Sequence, residues 1–361
     1  MKTKILLLSV AAAFSAGVKA QGCTGITVRT VSGDAFQART YEWGSSYSDP
    51  VLKVAKRSSV YNAASPSGLG MAWKGRYGYV GILSAGSPYV NEGLNEKGLS
   101  AGVFFLPGFA SYAPFDPRDV KNTISELDFT AYVLSMCATV DQVIEELERI
   151  KITGVFQSQL GGVPQVHWRV GDSSGRTVII EITNGGCVNV YESKVGVLTN
   201  SPEYPWHLVN LRNYVNLRPE PAASVELGGE KLTPVGSGSG LLGIPGDYTP
   251  PSRFVRAAFL LNNSRVPQTA YDAVILGFHI LNNFDIPLSA EEAPDKVPDM
   301  PSATQWTSLA DTSGLVFYYR TMYNSSIRRV ILSSIDFSQG DDITVPLDRE
   351  LRQDFTDVEL Y

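Results

Sequence analysis

The spacing of apolar positions changes several times along the chain, and each change marks an element. Ile5 to Val18 is an almost unbroken apolar run of about 14 residues. Thr24 to Val31 then alternates apolar with small or polar residues, which is the period of a half-buried strand. Ser32-Gly33-Asp34 is a turn signal, and Ala35 to Trp43 resumes the alternation, so an early hairpin is predicted. Val51 to Tyr61 and Gly68 to Ser84 continue the β pattern. Asn91 to Gly98 reads as a polar turn leading into a strand over Leu99 to Leu106, which Pro107-Gly108 ends.

Helical spacing appears over Ser125 to Ile150 with a break near Ala138-Thr139. The second half carries Thr139 as its N-cap, because a threonine hydroxyl accepts from an otherwise unpaired N–H of the first turn. Strands return at Val166 to Val170, Thr177 to Thr183, Val188 to Val190 and Val195 to Leu198. Residues 218 to 251 are rich in Gly, Pro and Ser and read as a long excursion. Phe254 to Asn262 and Ala270 to Leu281 read as helices, and Leu315 to Arg320 and Arg328 to Leu332 as closing strands. Strand runs segregated from helix pairs predict antiparallel sheets layered with helices, an α+β sandwich.

Composition adds limits. The chain has 361 residues, 43% apolar and 18% charged, enough for one substantial core. Its net charge of -6 argues against a nucleic-acid partner, which requires a basic surface. Lys2 and Lys4 precede the first apolar run, and Val18-Lys19-Ala20 offers small residues for cleavage. Residues 1–20 therefore read as a secretory signal of bacterial type, and a periplasmic location is expected. No later run is long enough to span a bilayer. The cysteines are Cys23, Cys137 and Cys187, an odd count that leaves at least one free thiol. Cys137 and Cys187 read as structural. His167, His207 and His279 show no metal-ligand spacing, so neither a metal nor another cofactor is expected.

Cys23 stands at the junction between leader and globular sequence. If processing makes it the first residue, it carries a thiol and a free α-amine whose ordinary pKa, about 8, allows it to act as a base. Ala20-Gln21-Gly22-Cys23 also resembles a lipobox, and the leader alone fits a lipid-anchored, non-catalytic binder of small amphiphiles equally well. Arg39 and Glu42 bear on the choice. In the predicted hairpin, alternate residues of Arg39 to Trp43 return beside Cys23, where a guanidinium favours a thiolate and a carboxylate holds an amine.

Five ordered blocks resemble the choloylglycine hydrolase family, the bile salt hydrolases and penicillin V acylases among N-terminal-nucleophile enzymes. They are Cys23-Thr24-Gly25, Arg39 to Trp43, Asn95 to Leu99, Val197 to Pro202 with Asn210 to Tyr214, and Gly243 to Asp247 with Pro251 to Phe254. The resemblance implies an αββα sandwich and a single catalytic domain over residues 23–361, with 21–22 removed in maturation. It implies Cys23 as nucleophile and amine base, Arg39 beside the thiolate, Asn200 as oxyanion donor and Arg253 as the residue that orders the site. The substrate is an amide with an apolar acyl group: a glycine or taurine conjugate of a bile acid, penicillin V or an N-acyl homoserine lactone. A homotetramer is also implied, with residues 215 to 245 packing between subunits. This chain departs from the family pattern twice. Glu42 stands where an aspartate is usual. Phe105 stands where many bile salt hydrolases carry an asparagine. Phe105, Trp43 and Tyr47 are the expected substrate contacts, drawn from a wider aromatic set of Tyr41, Phe104, Phe109, Tyr112 and Trp206.

Overall fold

The computed structural model describes residues 22–44, 47–84, 86–158, 160–288 and 303–360. The leader and Gln21 lie outside them. Two antiparallel sheets face one another. The first has six strands in the order Val197–Leu198, Cys23–Arg29, Ala35–Trp43, Ala303–Asp311, Val316–Thr321 and Arg328–Ile331. The second has eight: Cys187–Glu192, Thr177–Thr183, Val166–Gly171, Ser100–Phe105, Val90–Asn95, Tyr79–Ser84, Pro50–Ala55 and Ile343–Pro346. Helices Pro250–Asn263 and Ala270–Leu281 cover the outer face of the six-stranded sheet, and Phe129–Met136 and Val140–Leu147 cover that of the eight-stranded sheet. This is the expected αββα sandwich.

Local chemistry sets these elements. The Thr139 hydroxyl accepts from Gln142 N and caps the second helix, as the spacing predicts. Thr269 and Asp272 form a reciprocal capping box at Ala270–Leu281. The apolar faces then pack. Phe254, Ala257, Phe278 and Leu281 join Ile26, Phe36 and Leu309 in one core, while Phe129, Val133 and Val140 join Trp168, Val170 and Ile180 in the other.

The first hairpin positions the site by strand parity. Side chains alternate between faces, and the register pairs Cys23 with Tyr41 and Gly25 with Arg39. Cys23, Gly25 and Thr27 therefore point between the sheets, together with Gln37, Arg39 and Tyr41. Thr24, Ile26 and Val28 point toward the helices, together with Phe36, Ala38 and Glu42. Gly25 is required by close approach, since a Cβ there would lie 2.7 Å from Arg169 Nη1 and 2.8 Å from the Phe104 ring.

Three expectations change. The polar segment Ala303–Asp311, not anticipated as an element, is a fully buried central strand. Its Thr, Gln and Ser side chains hide it from an apolar-run reading. The predicted turn at Asn91 to Gly98 is mostly strand, Val90–Asn95, with only its end turning. Cys187, expected to be structural, is exposed, whereas Cys137 is buried. Residues 218–251 do form an excursion, and its small hairpin Val225–Leu227 with Glu230–Leu232 is exposed throughout. Among the described residues no helix is long and apolar enough to cross a membrane.

Gly25→Ala is expected to lower unfolding stability by about 1–3 kcal/mol through overpacking between the sheets. Denaturant melts of the two proteins check this, and equal midpoints would contradict the packing described.

Candidate active site

Cys23 lies at the edge of the space between the sheets and is 1% exposed. Its Sγ accepts from Arg39 Nη2 at 2.6 Å. Arg39 is fully buried, and its Nη1 donates to Val103 O at 2.7 Å and Asn91 O at 3.1 Å. Phe104 lies under the guanidinium, 4.0 Å from carbon to ring centroid. Glu92 takes Arg39 Nη1 on one oxygen and Arg169 Nη2 on the other, each at 3.4 Å. Burial pulls Arg169 down to about 10, with Glu92 acting against that pull.

The backbone side of Cys23 is held from the helix layer. Arg253, on Pro250–Asn263, donates from Nη1 to Cys23 O at 2.6 Å and Thr24 Oγ1 at 2.9 Å. Its Nη2 donates to Asn200 Oδ1 at 2.8 Å, and its Nε to Tyr248 O at 2.7 Å. Asn200 Oδ1 also accepts from Cys23 N at 2.9 Å, and Asn200 Nδ2 donates to Phe105 O at 2.9 Å. The second Nδ2 proton has no partner among the described residues. Here Cys23 N is a peptide nitrogen, because Gly22 is attached. It stands where an α-amine would be in a chain beginning at Cys23.

Glu42 lies against Gly22. Its backbone N donates to Gly22 O at 2.9 Å, and a Cβ added to Gly22 would sit 3.3 Å from Glu42 Oε2. Thr304 donates to Oε1 at 2.9 Å, while Oε2 is buried without a hydrogen-bond partner. Burial pushes Glu42 up to about 7, opposed by Arg253 and by hydroxyl hydrogen bonds. Burial likewise raises the Cys23 thiol above its ordinary value, with Arg39 the strongest opposing influence. An amide nitrogen has no basic lone pair, so in the chain carrying Gly22 the Cys23 nitrogen cannot act as a base.

Beside this cluster is a cavity of about 550 Å3, within the usual range for small-ligand pockets. Tyr41, Trp43, Tyr47, Tyr89 and Phe105 supply its aromatic walls, and among the described residues no Asp, Glu, Lys or Arg lines it. Asn91 and Val103, whose carbonyls hold Arg39, are part of its lining. The expected contacts Phe105, Trp43 and Tyr47 are therefore together. Phe104, Phe109, Tyr112 and Trp206 do not line it. Phe104 is wholly buried beneath Arg39, and Tyr112 is tied through its hydroxyl to Pro164 O. Phe105 contributes its ring to the cavity and its carbonyl to Asn200. Glu92 and Arg169 were missed because their partners lie far away in sequence and only strand register joins them. Among the described residues no group of His, Cys, Asp and Glu has the geometry of a metal site.

The Glu42 shift gives a sign. A carboxyl raised from 4.5 to about 7 contributes most to stability below pH 4.5, where it is neutral in both states. That contribution is lost as pH rises through 7. In a Cys23→Ala chain that retains Gly22, adding Glu42→Gln is expected to leave stability unchanged near pH 4. At pH 8 it should raise stability by up to about 3 kcal/mol. Melts at both pH values check this, and a gap that does not widen with pH would contradict it.

The sequence family model for "Linear amide C-N hydrolases, choloylglycine hydrolase family" matches residues 23–345. A bile salt hydrolase/transferase of Clostridium perfringens is 30% identical over 310 residues, covering 85% of this chain and 92% of its own. A penicillin V acylase of Pectobacterium atrosepticum is 28% identical over 289 residues, covering 74% of this chain and 69% of its own. The crystal structure of a mutant conjugated bile acid hydrolase from Clostridium perfringens superposes with TM-score 0.80 at 27% identity, covering 93% of this chain and all of that one. Matched over nine-tenths of its length in sequence model and fold alike, this chain belongs to the choloylglycine hydrolase family of linear amide C–N hydrolases.

Proposed function

We propose that this protein hydrolyses the amide bond of glycine- and taurine-conjugated bile salts, with Cys23 as nucleophile. The observation that carries the reading is the convergence on one residue: Arg39 Nη2 on Sγ, Asn200 Oδ1 on N, and an uncharged aromatic cavity alongside. Removal of residues 1–22 frees the α-amine, which takes the thiol proton. The thiolate then adds to the substrate carbonyl carbon. The free Nδ2–H of Asn200 stabilises the resulting oxyanion. The C–N bond breaks as the α-ammonium returns its proton to the departing amine, leaving a thioester on Cys23. Water, deprotonated by the same amine, releases the acid. Arg39 favours the thiolate, Arg253 fixes Cys23 and Asn200 against each other, and Glu42 lies where it can accept from the new α-ammonium.

The lining supports an apolar acyl group in the cavity and leaves the anionic amino-acid part outside it. The relatives named as bile salt hydrolases point the same way. A second reading, penicillin V hydrolysis, is favoured by the flat rings of Tyr41, Trp43 and Phe105, which suit a phenoxy group. The basic, apolar leader supports export.

Mature enzyme beginning at Cys23 is expected to release amine from glycocholate and taurocholate faster than from penicillin V. Asn200→Ala is expected to lower kcat by about 10²–10³-fold, the usual effect of losing one oxyanion donor. Amine release measured on all three substrates checks both. Turnover of penicillin V alone would move the assignment to the second reading, and inertness toward all three would reject both.

A further inference from the structure

Two buried imidazoles grip the peptide units on either side of Asn200, and the reaction scheme uses neither. His207, on helix Tyr204–Asn210, has Nε2 2.9 Å from Asn200 O. His167, on Val166–Gly171, has Nε2 3.2 Å from Thr199 O. Both residues are almost fully buried. His167 Nδ1 is 2.9 Å from Glu181 Oε1, which also accepts from Tyr204 N at the start of the helix bearing His207. The two carbonyls flank the Asn200 Cα. Holding both fixes the direction of the Cα–Cβ bond, and hence where Oδ1 and Nδ2 can point.

His207 is the more specific of the two. A carbonyl oxygen can only accept, so Nε2 must carry the proton and Nδ1 must be bare. Nδ1 is buried without a hydrogen-bond partner. The ring is stacked on Phe254, 4.6 Å between centroids and 11° between planes. Phe254 follows Arg253 directly in the chain. One ring thus braces the backbone of Asn200 and the helix turn that presents Arg253, the two residues that meet at Asn200 Oδ1. Burial drives His207 down to about 4, so it is a neutral donor throughout the physiological range. A ring with no acidic partner, one bare nitrogen and no access to the cavity is suited to holding position and unsuited to proton transfer.

We propose that His207 is a positioning residue for amide hydrolysis, its Nε2–H holding the Asn200 carbonyl so that the Asn200 side chain faces Cys23. This rests on the catalytic reading of Cys23 and Asn200 given above. Glutamine can place an N–H near the histidine Nε2 position, whereas leucine cannot.

The test uses mature enzyme and whichever of glycocholate or penicillin V the wild type turns over. His207→Gln is expected to keep kcat within about threefold, and His207→Leu to lower it about 10–100-fold with KM nearly unchanged, as for loss of a buried donor. In an Asn200→Ala background the leucine substitution should cost less than about threefold, because the group being positioned is already gone. An undiminished loss in that background, or equal losses for Gln and Leu, would show a purely structural role and overturn the proposal. If the leucine variant does not fold, 15N NMR of histidine-labelled wild type decides, and it needs no turnover. A neutral ring protonated at Nε2 supports the proposal, and protonation at Nδ1 overturns it. Wild-type inertness toward both substrates, with the Nε2–H form observed, would fault the catalytic reading and leave the brace standing.

Discussion

The contact between Arg39 and Cys23 is the constraint around which the other buried groups are arranged. A guanidinium sealed between two sheets costs many kcal/mol of lost hydration unless it is fully satisfied. The fold supplies Val103 O, Asn91 O, Glu92 and the face of Phe104. Glu92 is shared with Arg169, so one carboxylate serves both guanidiniums. The group that Arg39 Nη2 faces is Cys23 Sγ. Burial alone disfavours a thiolate, and the Arg39 guanidinium is the strongest influence opposing it. Gly25 leaves room for the arrangement, which is why a side chain there collides with Arg169 and Phe104.

Much of this was legible in the sequence, for physical reasons. Alternation of period two gave the first hairpin, and the hairpin gave the return of Arg39 toward Cys23. Cap chemistry gave the start of the helix after Thr139. Ordered motif blocks gave Asn200 and Arg253, whose chain separation no local pattern can bridge. What escaped was polar and buried. Ala303–Asp311 looks like a loop because its Thr304, Gln305 and Ser308 are hydrophilic, yet it pairs with Ala35–Trp43 and its Thr304 donates to Glu42. Glu92 sat inside an apparent turn. His167 and His207 carried no ligand spacing, and their partners here are the backbone carbonyls Thr199 O and Asn200 O. Polar residues in a sealed interior report function more than folding, and hydropathy patterns are blind to them.

The two departures from the family pattern acquire separate meanings. Phe105 does not replace an asparagine's chemistry. It adds a ring to the cavity and gives Asn200 a carbonyl to rest against. Glu42 lies against Gly22 and ends in a buried oxygen without a hydrogen-bond partner among the described residues. With the proposed removal of residues 1–22, attached leader and free amine would be two electrostatic states of one site. In the first, a neutral peptide nitrogen sits near a carboxyl that burial drives toward protonation. In the second, a cation would face a carboxylate.

In the proposed reaction Cys23, as the first residue of the mature chain, carries the acyl group between amide and water. Intact-mass spectrometry of enzyme acid-quenched during turnover of glycocholate tests it directly. The expected result is a chain beginning at Cys23, a second species heavier by the cholyl group, and fragmentation that places the addition on the first residue. A chain that still carries Gln21-Gly22 while active, a lipid-modified Cys23, or an acyl group on any other residue would contradict it.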